Sequence, residues 1–251
     1  MRRALLVDID DTVVDWIGPA RDAVIESVAT HPALADGDPE RLADRFLEIV
    51  EETHALWMSG ELTVDGLRAE RIRRLVADSG ATDLHPSEAQ DLSDAYRAAY
   101  LRARRPVEGA AELLSEVRRR GARVVAVTNN LVAEQEDKLR HTGMRHLFDG
   151  LVISEAAGVS KPDPAIFDLA LRVAGASAQE AIMLGDSWAN DVMGAVGAGV
   201  PAAWLDRSGA GAPDSSIDVL ALTSLRPANA VAACLLDQST NHRRERDSSR
   251  R

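Results

Sequence analysis

The chain has 251 residues, a formal net charge of −11 and a hydrophobic share of 45%. This length predicts one large domain or two small ones, and the net charge argues against a nucleic-acid-binding surface. No apolar run approaches the ~20 residues that cross a membrane. A single cysteine, Cys234, excludes an internal disulfide, and the apolar run at the N-terminus is too short for a signal peptide, so we expect a cytoplasmic protein.

The first predicted strand delivers acidic side chains to one point. Residues 4–9, ALLVDI, form a short apolar run of the kind that becomes a buried strand. At its end stand three aspartates and a threonine, namely Asp8, Asp10, Asp11 and Thr12. These four residues therefore become candidates for a functional site.

The next segment predicts helices only. Apolar residues recur at helical spacing in four stretches, namely 19–31, 39–57, 63–80 and 86–103. Thr63 predicts the start of the third helix, and Gly80 predicts its end. Four successive helices without a strand predict a separate helical domain, residues 18–104.

From Pro106 onward, helical segments alternate with apolar strands. The strands are predicted at 122–130, 150–154, 181–187 and 201–206, with a last short one at 217–222. This alternation predicts an α/β domain, a parallel sheet with helices on both faces, to which the first strand also belongs. The core domain then comprises residues 1–17 and 105–236. Residues 237–251 lose all periodicity, which predicts a disordered tail.

Ligands of open parallel sheets bind at the carboxyl ends of the strands, so the residues found there are candidates. Thr128 and Asn129 end the second strand of the core, and Lys161 lies in a loop before a helix. Asp186 follows a later strand, with Asn190 and Asp191 just beyond it. Acids, a hydroxyl, amides and one lysine thus converge from separate segments.

These residue types fit phosphoryl transfer. Several carboxylates at one edge need a cation, and oxygen ligands suit Mg²⁺. Asp8 could attack phosphorus as a nucleophile, and Asp10, which points the same way along an extended chain, could protonate the leaving group and later deprotonate water. Thr128, the backbone N–H of Asn129 and Lys161 would hold the phosphoryl oxygens.

Four motifs carry a resemblance to a known family. They occur in order as LLVDIDDTV, VVAVTNN, SKPDPAIF and IMLGDSWANDVMGA. From residue 4 to about residue 206, the chain resembles the haloacid dehalogenase-like hydrolase superfamily. The resemblance implies a Rossmann-like three-layer core, a helical cap inserted after the first strand, and Mg²⁺-dependent phosphoryl transfer.

The resemblance also implies roles for individual residues. Asp8, the backbone carbonyl of Asp10 and Asp186 would hold Mg²⁺, and Asp191 would act through water or by orienting Lys161. Thr12 and Asn190 are expected to support the site, although Asn190 could simply start the following helix. Asp11 stands where glycine is frequent in the family, and we interpret it as a residue of the turn.

The implied function is a phosphatase for a small phosphorylated metabolite, acting as a monomer or homodimer. A nucleotide, phosphoglycolate or a sugar phosphate all stay open as substrates. Trp16, Trp57 and Arg71 are candidates for substrate contact, with packing as the alternative. A phosphomutase-type phosphotransferase, a 2-haloacid dehalogenase and a catalytically silent binding module are the competing functions. The dehalogenase needs neither an acid/base at Asp10 nor a Mg²⁺ site.

Overall fold

The computed structural model describes residues 1–58, 61–80, 84–217 and 219–237. The chain divides into two compact units. The first unit comprises Met1–Asp15 and the chain from Pro106 onward, and the second comprises Trp16–Arg105. The assignment of a catalytic core and a cap stays a prediction. The predicted disordered tail, apart from Asp237, lies outside the described residues.

Eight strands are present in the described residues. They are β1 (Ala4–Val7), β2 (Val14–Asp15), β3 (Arg105–Pro106), β4 (Arg123–Thr128), β5 (Gly150–Ile153), β6 (Ala181–Gly185), β7 (Ala202–Leu205) and β8 (Leu220–Leu222). Six of them form one parallel sheet in the order β5-β4-β1-β6-β7-β8. The strand that carries the aspartates therefore lies in the interior of the sheet.

Ten α-helices are present in the described part of the chain. They are α1 (Ile17–Thr30), α2 (Pro39–Met58), α3 (Val64–Ser79), α4 (Pro86–Ala103), α5 (Ala110–Arg119), α6 (Val132–His141), α7 (Ser154–Ala157), α8 (Pro164–Ala174), α9 (Gly194–Gly197) and α10 (Ala228–Leu236). None of these helices is long and apolar enough to span a bilayer. A cytoplasmic location and a monomeric or homodimeric state stay predictions.

The sheet is buried on both faces. Successive residues of β1 point to opposite faces, so Leu5 and Val7 join one apolar cluster while Ala4 and Leu6 join the other. Residues of α5 and α10 pack in the first cluster, and residues of α8 pack in the second. The predicted three-layer α/β fold is confirmed, and the apolar composition of β1 follows from this double burial.

The register of the sheet brings the strand ends together. Val7 pairs with Ala126 of β4 and with Leu184 of β6. The Asp8 N–H continues this ladder by donating to the Leu184 carbonyl at 2.9 Å. The residues that follow β1, β4 and β6 therefore meet at one edge, where a parallel sheet presents its ligand site.

The second unit consists of α1 to α4 around its own apolar core. Thr63 caps α3, because its side chain accepts from the Gly66 N–H at 3.1 Å, and Gly80 ends that helix in the left-handed region at φ 84°. The predicted start and stop of this helix are confirmed. The core of the unit is built from Val24, Leu42, Phe46, Ile49, Leu75 and Leu92.

The sequence NDVMGAVGAG predicts a helix at 190–199, and the structure differs there. Trp188–Met193 form a π-helical turn, and only Gly194–Gly197 are α-helical. The N–H groups of Asp191 and Val192 both donate to the Ser187 carbonyl, at 2.9 and 3.3 Å. This shared acceptor widens the turn, as π-turns at functional sites often do.

The helix α10 has no counterpart among the predicted elements. Its sequence ANAVAACLL is apolar on nearly every side and shows no helical periodicity. Val231, Ala232, Leu235 and Leu236 pack in the same apolar cluster as Leu5. Tertiary burial, rather than an amphipathic pattern, stabilises this helix.

Candidate active site

A buried ammonium bridges two carboxylates at the edge of the sheet. Asp8, directly after β1, is 6% exposed, and Lys161, in the loop before α8, is 5% exposed. Lys161 Nζ lies 2.6 Å from Asp8 Oδ1 and 2.6 Å from Asp191 Oδ1. The structure thus brings together three of the predicted site residues.

The side chain of Asn129 fixes the backbone of Lys161. Asn129 Nδ2 donates to the Lys161 carbonyl at 2.8 Å, and the Lys161 N–H donates to Asn129 Oδ1 at 2.7 Å. This reciprocal pair ties the residue after β4 to the lysine loop. The contact predicted for Asn129 used its backbone N–H and a phosphate, and that contact stays a prediction.

Asp186 is held by residues from two neighbouring segments. The Thr12 hydroxyl donates to Asp186 Oδ1 at 2.9 Å. Trp204 Nε1 donates to the Asp186 carbonyl at 2.8 Å, and Trp188 packs edge-on against Trp204 with ring centroids 5.2 Å apart. Thr12, a predicted supporting residue, therefore contacts Asp186. Sequence reasoning missed Trp188 and Trp204.

Asp191 is completely buried and is anchored at both oxygens. Its Oδ1 accepts from Lys161, and its Oδ2 accepts from the Ser187 N–H at 3.0 Å. A Cβ on Gly185 would lie 2.2 Å from Asp191 Oδ2, so only glycine fits there. The Asn190 N–H donates to Ser187 Oγ at 3.3 Å, which gives Asn190 a place in the start of the turn.

The acidic cluster is short of positive charge. Asp8, Asp186 and Asp191 each offer an oxygen within 4.8 Å of the others. Burial raises the pKa of Asp8 to about 7 against the opposing effect of Lys161, with a further upward contribution from Asp191. Burial, together with repulsion from Asp8 and Asp191, raises the pKa of Asp186 to about 8. Both carboxyl groups are therefore harder to ionise than in water.

The donor set fits a hard divalent cation. All the candidate ligand atoms are oxygens, which Mg²⁺ prefers. When they are ionised, Asp8, Asp10, Asp186 and Asp191 carry four negative charges against the two positive charges of Lys138 and Lys161, which leaves two negative charges over. One divalent ion would balance that charge.

Asp10 has a separate set of partners. Lys138 Nζ forms an ion pair with Asp10 Oδ1. Gln135 Nε2 and Asn130 Nδ2 donate to Asp10 Oδ2 at 2.8 and 3.2 Å. Burial opposes ionisation of Asp10, but Lys138 and these hydrogen bonds outweigh it and lower the pKa of Asp10. The carboxylate is therefore ionised in this arrangement.

Sequence reasoning missed Lys138 and Gln135, although one signal was present for the lysine. The chain has 29 basic residues, and only Lys138 and Lys161 are lysines. Both are buried, and Lys138 pairs with Asp10 while Lys161 pairs with Asp8, just after β1. Because every other basic residue counted here is arginine, the use of lysine at these two positions indicates a special environment.

Thr128 ends β4 in the same network. Its Oγ1 accepts from Gln135 Nε2 at 3.1 Å. Because the oxygen accepts there, the hydroxyl hydrogen is free to point in another direction. A contact between this hydrogen and a phosphate stays a prediction.

Asp11 braces the turn after β1, as interpreted from the sequence. Its φ of 56° lies in the left-handed region, which glycine adopts freely and aspartate tolerates. Arg207 Nη1 lies 3.5 Å from Asp11 Oδ1, and Arg207 Nη2 lies 3.1 Å from Asp15 Oδ1. Asp11 thus has a structural place beside the acidic cluster.

The candidates for substrate contact belong to the second unit. Arg71 Nε donates to Thr53 Oγ1 at 3.0 Å, and burial lowers the pKa of Arg71 to about 10. Trp16 is half-buried before α1. The side chain of Trp57 lies outside the described residues. Their substrate roles stay predictions.

Comparison with known proteins identifies the family of this fold and site. The family model described as haloacid dehalogenase-like hydrolase matches residues 2–199. The chain therefore belongs to the haloacid dehalogenase-like hydrolases and is an enzyme of the hydrolase class. The sequence resemblance to this family is confirmed.

Two curated relatives and one solved structure illustrate the similarity. The chain is 33% identical over 230 residues to a phosphoserine phosphatase of Thermus thermophilus, with 82% of this chain and 89% of that protein covered. It is 30% identical to a glyceraldehyde 3-phosphate phosphatase of Methanopyrus kandleri, with 80% and 82% covered. The crystal structure of a dehalogenase matches with a TM-score of 0.73 at 18% identity, with 94% and 98% covered. That structural likeness shows the fold alone.

Proposed function

We propose that the protein is a Mg²⁺-dependent phosphatase that hydrolyses small phosphomonoesters through an aspartyl phosphate on Asp8. The observation that carries this proposal is that Asp8 and Asp10 have separate sets of partners. Asp8 lies in the acidic cluster with Lys161, whereas Asp10 has its own partners in Lys138 and Gln135. A dehalogenase needs no such second carboxylate, so Asp10 favours the phosphatase.

In the first half-reaction, an oxygen of Asp8 attacks phosphorus and the bond between phosphorus and the leaving oxygen breaks. Only Oδ1 of Asp8 is paired with Lys161, and Oδ2 has no hydrogen-bond partner among the described residues. For this step Asp10, which is ionised in the substrate-free protein, has to carry a proton, and it gives that proton to the leaving oxygen. Lys161 and the Thr128 hydroxyl donate to the oxygens of the transferred group.

In the second half-reaction, water attacks the phosphorus of the aspartyl phosphate and gives a proton to Asp10. Asp10 must be ionised for this step, which is the state that Lys138, Gln135 and Asn130 favour. The proton that Asp10 accepts is then available for the next leaving group. Phosphate departs and Asp8 is regenerated, so protons balance over the cycle.

The residues that would hold Mg²⁺ are Asp8, the backbone carbonyl of Asp10 and Asp186, with Asp191 in support. When bound, the ion would supply positive charge beside the transferred phosphoryl group and offset the repulsion among the carboxylates. The raised pKa values of Asp8 and Asp186 support this assignment, because they report that charge is lacking.

The names of the two relatives suggest where to look for the substrate. One acts on phosphoserine and the other on glyceraldehyde 3-phosphate, which are both three-carbon phosphomonoesters. We therefore place three-carbon phosphomonoesters first in a substrate panel. Phosphoglycolate, nucleoside monophosphates and sugar phosphates complete it.

The test is phosphate release from this panel, with Mg²⁺ and with EDTA, by the wild-type enzyme and by Asp8→Asn. We expect Mg²⁺-dependent release that concentrates on one chemical class and is absent in the variant. No release from any compound would contradict the phosphatase. Chloride release from a 2-chloroacid would then favour the dehalogenase, and an isomerised phosphate ester would favour the phosphomutase.

A further inference from the structure

We propose that Lys138 and Gln135 are positioning residues that hold the Asp10 carboxylate at a fixed place relative to Thr128. The inference rests on the proposed function, because it concerns the proton transfers of that reaction. The two residues lie three positions apart on α6, so they share one face of the helix. That face is buried, since Lys138 is 4% exposed and Gln135 is 0% exposed.

Lys138 fits a functional role better than a stabilising one. Breaking a buried ion pair destabilises a protein, but replacing the whole pair with apolar side chains is often neutral or stabilising. Fold stability alone therefore does not account for a lysine at this buried position. Lysine presents a compact charge on a flexible stem, whereas the arginines used elsewhere in the chain present a wider planar fork.

Gln135 links the proton-transfer group to the predicted phosphate contact. Its Nε2 donates both to Asp10 Oδ2 and to Thr128 Oγ1, at 2.8 and 3.1 Å. Its Oε1 is buried and has no partner among the described residues. A buried oxygen without a partner destabilises the fold. We therefore infer that glutamine stands at position 135 because of the two hydrogen bonds that its Nε2 donates.

The network fixes one carboxylate for two tasks. Asp10 has to reach the leaving oxygen in the first half-reaction and a water molecule in the second. Lys138 holds one of its oxygens and Gln135 holds the other, so rotation of the carboxylate is restricted. Because Gln135 also holds Thr128, one side chain sets the distance between Asp10 and Thr128, the residue predicted to contact the phosphoryl group.

The contact can be tested without turnover, because the chain has only two lysines. Protein labelled with ¹³C and ¹⁵N lysine should give two sets of side-chain NMR signals, which Lys138→Met assigns. We expect Asp10→Asn to shift the Cε and Nζ signals of Lys138 and to leave those of Lys161 nearly unchanged. Lys138 signals that do not respond to Asp10→Asn would overturn the inference, whatever the enzyme hydrolyses.

The effect on proton transfer is tested with two leaving groups. We compare an alkyl phosphate from the panel with p-nitrophenyl phosphate, whose leaving group needs no proton. For Lys138→Met we expect kcat/KM, which reports the first half-reaction alone, to fall by about 100-fold with the alkyl ester and by less than about 10-fold with the nitrophenyl ester. Equal losses on both esters would overturn the positioning role.

Two further variants complete this experiment. Arg140→Met removes an exposed positive charge from the same helix and should behave as the wild type with both esters. If Lys138→Met does not fold, Gln135→Met keeps the volume of the side chain and should show the same dependence on the leaving group. A wild-type enzyme that hydrolyses neither ester contradicts the proposed function, and the NMR measurement then decides the inference by itself.

Discussion

Lys161 and Asp8 form a buried ion pair across 153 positions of the chain, with 2.6 Å between Nζ and Oδ1. The same ammonium is shared with Asp191. One positive charge cannot neutralise both partners and Asp186 as well. The pair therefore fixes the position of Asp8. The cluster of Asp8, Asp186 and Asp191 still lacks positive charge, which a further cation would supply.

Replacing this lysine should damage both the fold and the reaction. In Lys161→Met, Asp8 and Asp191 lose their common partner inside the protein. We expect a loss of about 3–5 kcal/mol in the free energy of unfolding and at least a ~100-fold loss of phosphate release. Urea denaturation in EDTA and a phosphate-release assay measure the two effects.

A matched control separates burial from charge. Arg119→Met removes an exposed arginine that pairs with Glu116 on the surface of α5. Its free energy of unfolding should stay within about 0.5 kcal/mol of the wild-type value. Similar losses in the free energy of unfolding for Lys161→Met and Arg119→Met would show that burial of the Lys161 ion pairs does not matter for stability.

Asp8→Asn should abolish turnover without loss of stability. Burial raises the pKa of Asp8 to about 7, so above that pH the ionised carboxylate opposes folding of the metal-free protein. A neutral amide removes this cost, and Lys161 keeps its contact with Asp191. At pH 8 in EDTA, we expect a melting temperature equal to or above that of the wild type. Phosphate release above a few per cent of wild type would count against the nucleophile.

The sequence predicts the residues at the strand ends because one geometric rule governs them. Asp8 and Asp186 each follow a strand and Thr128 ends one, and the parallel pairing sets the neighbours of these strands in the sheet. Lys161 lies in a loop, and its motif in the family identifies it. For these residues, knowing the fold class is enough to gather them at one edge.

The remaining contacts depend on tertiary geometry, which cannot be predicted from the periodicity of the sequence. Lys138 reads as one more charge on an amphipathic helix, and its partner Asp10 is 128 positions away. The reciprocal pair between Asn129 and Lys161 uses a side chain where only a backbone group was expected. The widened turn at Asp191 follows from a shared carbonyl, which no spacing of residue types reveals.

The affinity for Mg²⁺ should depend on pH. The pKa of Asp8 is raised to about 7 and that of Asp186 to about 8, so protons occupy these carboxyl groups below those values. Mg²⁺ must displace the protons, and its apparent affinity should fall as the pH drops from 8.5 to about 6. Calorimetry of the metal-free protein in buffers of different ionisation enthalpy measures affinity and proton release together. An affinity independent of pH over this range would contradict the raised pKa values.

Gly185→Ala should disrupt the site from within the sheet. The new Cβ would lie 2.2 Å from Asp191 Oδ2, and Asp191 cannot move without losing Lys161 or the Ser187 N–H. We expect a loss of about 1–3 kcal/mol in the free energy of unfolding. The rate of phosphate release should fall by a larger fraction of its wild-type value than the free energy of unfolding does. Gly197→Ala is the control, because nothing lies within 4 Å of its added Cβ. It should be neutral or stabilising by up to about 1 kcal/mol, since alanine favours a helix. Equal stability and activity in the two variants would mean that Gly185 is not needed for the position of Asp191.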